Sequence, residues 1–169
     1  MLENKINGFI DYCKVAGFSN KSIETFSIRL KDFNKFLKSK RFSYLRSVKY
    51  THLSTFVAKY GKPSVHVKKS RIWALRLFFH YLTLKGYLAE NIATQLPYPK
   101  IESTVPQFLT INEFNRILHH CAVQASTLMG LRNLNIILLL GLLGLRSGAI
   151  VALDVRDIDV VSGLARVKE

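Results

Sequence analysis

Cysteine is nearly absent from this 169-residue chain: only Cys13 and Cys121 occur, in separate segments. Two distant thiols form neither a disulfide framework nor a zinc-ligand spacing, and they fit a reducing cytoplasm. Long apolar runs are missing too. The most apolar stretch, Ile136 to Leu145, has ten residues, whereas a membrane span needs about 20. It is expected to be a buried core helix, and no membrane partner is expected. Met1 to Lys14 carries acidic residues and lacks the apolar core of a signal peptide. There are no internal repeats, no glycine-rich phosphate loop, no recognisable nucleophile pattern and no catalytic carboxylate pair. His119, His120 and Cys121 are adjacent, but helix neighbours point about 100° apart and do not chelate together. Neither a metal nor a cofactor is expected.

Acidic residues are scarce in one part only. Residues 1–100 hold 19 Lys+Arg and 5 Asp+Glu, whereas residues 101–169 hold 6 of each. The whole net charge of +14 therefore belongs to the first hundred positions. A basic domain followed by a neutral one points to a polyanion, with nucleic acid ahead of an anionic membrane surface. The bland alternative is a lysine-rich solvated surface.

Along the chain, Leu2, Ile6, Phe9, Ile10 and Cys13 recur at helical spacing over residues 2–15, and Gly17 is the stop. Ser19 or Asn20 caps a second helix with Ile23, Phe26, Leu30, Phe33 and Leu37 on one face. Residues 40–50 are irregular, and Thr51 is expected to cap a short third helix bearing Leu53, Phe56, Val57 and Tyr60. The fourth helix is expected from Ser64 to Lys85, with Gly86 as its stop and Val67, Ala74, Leu75, Phe78 and Leu82 as its core face. Three prolines, Pro97, Pro99 and Pro106, mark a linker. Beyond it come helices from Thr110 to about Cys121, Gly130 to Leu143 and Ser147 to Ala152. The second of these is apolar nearly all round and is expected to centre a second core. Val155 to Lys168, with Ser162-Gly163 between two β-prone runs, is expected to form a hairpin.

The fourth helix carries the sharpest signal. Lys69, Ile72, Arg76 and His80 gather on one face, with Trp73 at its edge and Lys68 and Arg71 beside them. No acidic residue occurs from Lys62 to Leu88, whereas solvated helix faces usually mix both signs. A major groove admits one helix, and such cations reach phosphates and base edges. On the second helix Lys21, Arg29, Lys31, Lys35 and Lys38 are relieved by Glu24 and Asp32, which suits phosphate contact alone. Arg146, after the apolar helix, could pair with Asp154 or Asp157, or hold an oxyanion.

These residues, in their order, resemble the tyrosine recombinases of the Xer and phage-integrase type. The resemblance runs through Gly17-Phe18-Ser19, then Ala74-Leu75-Arg76-Leu77-Phe78-Phe79, then Asn91-Ile92-Ala93, where the family's turn usually has Pro in the middle. It continues through Pro99-Lys100, Val105-Pro106, Leu109-Thr110 and Glu113 to Gly144-Leu145-Arg146, Ile150, Leu153 and Asp157-Ile158. It implies a mainly α fold. A four-helix SAM-like core-binding domain would span 1–96, with a linker at 97–107. The start of an α+β catalytic domain would span 108–169, truncated and ending in the hairpin. It also implies a clamp around double-stranded DNA, other recombinase protomers on the same site, and site-specific recombination or integration by a nucleophilic tyrosine. Arg146 would be the first catalytic arginine, and Lys168 lies near the place of the catalytic lysine, which the family pattern puts just beyond Glu169. Ala149 replaces the family's usual Glu, and all seven tyrosines precede residue 99. The chain is therefore expected to bind DNA through Lys68, Lys69, Arg71, Arg76, His80, Lys21, Arg29 and Lys35, as a monomer inactive on its own. The alternatives are a non-catalytic regulator or decayed recombinase gene product occupying recombination sites, and a basic helical scaffold of no specificity.

Overall fold

Apolar residues three and four apart generate the first two helices and also orient them. In the computed structural model, which describes residues 2–42, 44–101 and 105–167, α1 spans Leu2–Val15 and buries Ile6, Phe9 and Cys13. Gly17 ends it at φ +76°, a left-handed conformation that glycine adopts without strain. The Phe18 N–H then returns to the Cys13 carbonyl at 3.1 Å, closing the helix end. Ser19 caps α2, Asn20–Ser39, by accepting the Ser22 N–H at 3.3 Å. Burial pushes the Cys13 thiol up to about 11, so it stays protonated and packs as a small apolar group.

After a 3-10 turn at Leu45–Ser47, α3 covers Tyr50–Lys59. Its start differs from expectation. Thr51 lies inside the first turn, and the Lys49 N–H is satisfied by His52 Nδ1 at 2.9 Å. Helix α4, Val65–Leu84, is capped by Ser64. It is the central element of the first unit and packs on α1, α2 and α3. Burying three sides of one helix requires an apolar arc wider than half its circumference. Ile72, Ala74, Leu75, Phe78, Phe79, Tyr81 and Leu82 supply that arc. Ile72, grouped with the cations in the sequence, is 1% exposed and belongs to this core. Phe9, Phe26, Phe33, Phe56, Phe78 and Phe79 are fully buried and join the four helices through ring contacts.

Glu3 and Lys38 clasp α1 to α2. Glu3 Oε1 accepts from Lys38 Nζ at 2.9 Å and from Asn34 Nδ2 at 3.0 Å. The Lys38 hydrogen bond and charge, then Asn34, hold the Glu3 carboxyl below its ordinary value. A depressed carboxylate stabilises the fold above its unfolded pKa, and that contribution fades as pH falls through the folded value. Thermal melts of wild type and Glu3→Gln across the acidic range should therefore converge at the acid end and separate above it. Parallel curves would show that the clasp adds nothing.

The chain divides into two units, residues 1–103 and 104–169. In the second, α5 (Ile111–Val123) opens with a capping box between Thr110 and Glu113. Helix α6 (Leu128–Gly141) and helix α7 (Ser147–Ala152) follow, then a 3-10 turn at Val155–Asp157. Strands β1 (Ile158–Asp159) and β2 (Leu164–Ala165) pair antiparallel, Ile158 opposite Ala165 and Asp159 opposite Leu164. The turn between them is held by the Asp159 carboxylate, which accepts the Val161 and Ser162 N–H groups at 3.0 and 3.1 Å. The expected hairpin is thus present, but short, and Lys168 lies outside the described residues. Helix α6 does not centre a second core. Gly130 is its only buried residue, while Leu131, Leu140 and its C-terminal neighbours Leu142 and Leu143 are exposed. A helix apolar on all sides needs neighbours on all sides, and here α5 packs along it with Phe114 against Gly141. Among the described residues, no helix is long and apolar enough to cross a membrane.

Candidate nucleic-acid interface

The wide apolar arc of α4 leaves one narrow strip outside. At about 100° per residue, positions 66, 69, 73 and 80 fall together, and His66, Lys69, Trp73 and His80 are all exposed. Trp73 therefore stands in the strip rather than at its edge. Counting Ile72 with the cations had rotated the expected face by a fraction of a turn. Ser70 and Leu77 border the strip and are half-buried, as is Lys68 in the helix's first turn.

Arg71 is not on this surface. It is 4% exposed, and its Nη1 donates to the carbonyls of Phe56 and Tyr60 at 2.9 and 2.8 Å. The guanidinium also lies over the Phe56 ring at 4.5 Å. These carbonyls belong to the last turn of α3, where the backbone lacks helical partners and carries partial negative charge. Burial holds the Arg71 pKa below its ordinary value. Arg71 thus ties α4 to α3.

Arg76 is half-buried and faces the connector. Its Nη2 donates to the Leu96 carbonyl at 2.7 Å, and its guanidinium stacks over Tyr98 at 4.6 Å. Asn91 Nδ2 in turn donates to the Arg76 carbonyl at 3.1 Å, while Asn91 Oδ1 accepts the Ala93 N–H at 3.0 Å. Ala93 and Leu96 are buried. The Asn91-Ile92-Ala93 turn and Arg76 together fold the chain after α4 back onto that helix.

Arg29 joins α2 to α4. Its Nε donates to Ser70 Oγ at 2.9 Å, and its Nη1 lies 3.9 Å from the Asp32 carboxylate. Beside this contact Phe26 of α2 meets the Trp73 ring edge-to-face at 4.5 Å. Lys21, Lys31 and Lys35 of α2 are exposed. A cleft of about 450 Å³ opens on the α4 strip, lined by His66, Lys69, Ser70, Trp73 and Tyr98. A larger cleft, about 770 Å³, lies between α1, the end of α2 and the 3-10 turn, and shares no residue with the strip. Trp73, His66 and Tyr98 were not singled out as site residues in the sequence. The spacing from His66 to Lys69 and Trp73 was the available signal.

In the second unit, Arg146 precedes α7 and is exposed. Gly144 turns the chain there at φ +62°, and the Arg146 carbonyl accepts the Ala149 and Ile150 N–H groups at 2.9 and 3.1 Å. The Asp154 carboxylate lies 3.7 Å from Arg156, and Asp157 accepts the Asp154 N–H at 3.0 Å. Among the described residues no ion pair involves Arg146. No three His, Cys, Asp or Glu side chains among them come together as a metal site.

Known proteins are similar to this chain. Residues 6–86 match the model of the phage integrase N-terminal SAM-like domain. A tyrosine recombinase XerC of Leptospira interrogans is 29% identical over 141 residues, covering 82% of this chain and 45% of the relative. A tyrosine recombinase XerC of Vibrio vulnificus is 34% identical over 98 residues, 58% of this chain and 30% of the relative. Among solved structures, an integrase from mycobacterium phage Brujita matches 96% of this chain and 53% of its own length, with a TM-score of 0.51 at 18% identity, a likeness of fold. The chain spans about half the length of the Leptospira relative and of other curated relatives that it matches over most of its own length. Residues 6–86 thus carry the N-terminal SAM-like core-binding domain of the tyrosine recombinase/phage integrase family.

Proposed function

We propose that this chain binds double-stranded DNA as the core-binding part of a site-specific recombinase, with the outer strip of α4 in the major groove and α2 on the backbone. The observation that carries the reading is the strip itself: exposed Lys69 and His80 on a helix with no acidic residue, within the first hundred residues that hold all the net charge. Lys69 and His80 face the groove, with Lys69 also reaching a phosphate at its edge, Lys68 supports them, and Lys21 and Lys35 reach phosphates. Arg29, Arg71 and Arg76 act one step back, by fixing α2, α3 and the connector against α4. Arg146 is proposed as a ligand for the scissile phosphate, where its five donors and fixed charge suit an oxyanion. All seven tyrosines lie in the first unit, so these residues bind DNA and do not cleave it alone. Ala149, where the family usually has Glu, favours a second reading, a non-catalytic occupant of recombination sites.

Fluorescence anisotropy on a labelled duplex, repeated across salt concentrations, tests the binding. Lys69→Ala combined with Lys35→Ala removes one cation from each helix. The slope of log K against log salt should become shallower by about 2, near 0.9 per lost phosphate contact. Both side chains are exposed, so the circular dichroism spectrum should not change. An unaltered slope would overturn the assignment of these helices.

A further inference from the structure

Trp73 is left over from the electrostatic account. A cation strip needs no indole, yet Trp73 is 38% exposed in the middle of it. It is also held rigidly, on a 20-residue helix with its ring fixed edge-to-face on the buried Phe26. Across the cleft stands Tyr98, 44% exposed and itself stacked under the Arg76 guanidinium. The result is an apolar notch whose walls are set before any ligand arrives, with Lys69 and His66 at its rim. Preorganised aromatic walls give up little conformational freedom on binding.

We propose that the notch between Trp73 and Tyr98 takes the 5-methyl group of a thymine in the major groove, so that Trp73 sets sequence preference. The inference rests on the duplex-binding reading above. Charge selects the partner: Lys69 and His66 line the notch, in a chain whose net charge of +14 lies in its first hundred residues, which suits a polyanion. Geometry then selects the feature. The base edges in a major groove are polar except for the thymine methyl, the one group there that gains from an apolar slot. Phosphate contacts by Lys69 hold the helix on the duplex but carry no sequence information.

The preferred duplex is first selected from short random duplexes, then remade with deoxyuridine in place of thymine, one position at a time. At one position or more, wild type should lose about four-fold in affinity, the burial of a single methyl group. Trp73→Ala should bind thymine and uracil duplexes alike, and Lys69→Ala should bind both more weakly while keeping the difference. Trp73→Phe keeps an aromatic contact for Phe26 and should retain part of the difference, which separates recognition from misfolding. Wild type indifferent to every replacement, or a difference that survives in Trp73→Ala, overturns the inference and leaves duplex binding standing. If wild type binds no duplex, both fall.

Discussion

Arg71→Ala should cost the first unit about 2–4 kcal/mol and should leave its charged surface untouched. The substitution removes the donor for the Phe56 and Tyr60 carbonyls and leaves a cavity where a buried guanidinium had lain over Phe56. An unpaired buried carbonyl costs about 1–3 kcal/mol. The guanidinium is expensive to bury as well, and burial is the leading cause of its lowered pKa. Arg71→Met therefore gives the more informative comparison. It refills most of the volume and removes the buried charge, so it should lose less than Arg71→Ala, by about 1 kcal/mol or more. Urea denaturation of the three proteins measures both values. Equal stability of wild type and Arg71→Ala would return Arg71 to the surface role that its sequence position implied.

Phe9→Ala should have the larger effect, about 3–5 kcal/mol. Phe9 is fully buried and meets Phe26 at 5.9 Å, Phe78 at 5.5 Å and Tyr81 at 5.7 Å. It thereby joins α1 to both α2 and α4. Against a typical domain stability of about 5–15 kcal/mol, this loss is enough to populate the unfolded state at moderate temperature. Phe9→Leu should lose far less, because it keeps most of the apolar volume. Thermal melts followed by circular dichroism test the pair. A Phe9→Ala protein as stable as Phe9→Leu would mean that α1 is not integral to the core.

The helices of the first unit were legible because local signals and tertiary burial agree there. Gly17, Ser19 and Gly86 stop or cap helices at their expected places. The places of the Arg71 and Arg76 guanidiniums were not legible. Sequence places Arg71 and Arg76 near the strip, but only the position of the α3 carboxyl end and of Leu96 decides where each guanidinium goes. Ile72 was misplaced for a related reason: an arc buried on three sides is wider than the amphipathic pattern of a surface helix. For α6 the all-round apolar pattern predicts the centre of a core, but the pattern alone does not say which surfaces cover it, and only Gly130 is buried. The site was thus visible as a helix and a charge, while its aromatic half, Trp73 with Tyr98, needed the return of the connector onto α4.

Trp73 also provides the most direct test, because it is the only tryptophan in the chain. Unlabelled duplex is titrated into the protein while Trp73 emission and its quenching by acrylamide are followed, alongside anisotropy of a labelled duplex. The α4 interface predicts that emission changes and acrylamide protection appear at the same duplex concentrations as the anisotropy rise, and that high salt reverses all three. An anisotropy rise with Trp73 emission and acrylamide access unchanged would contradict it, and would place the DNA on another face.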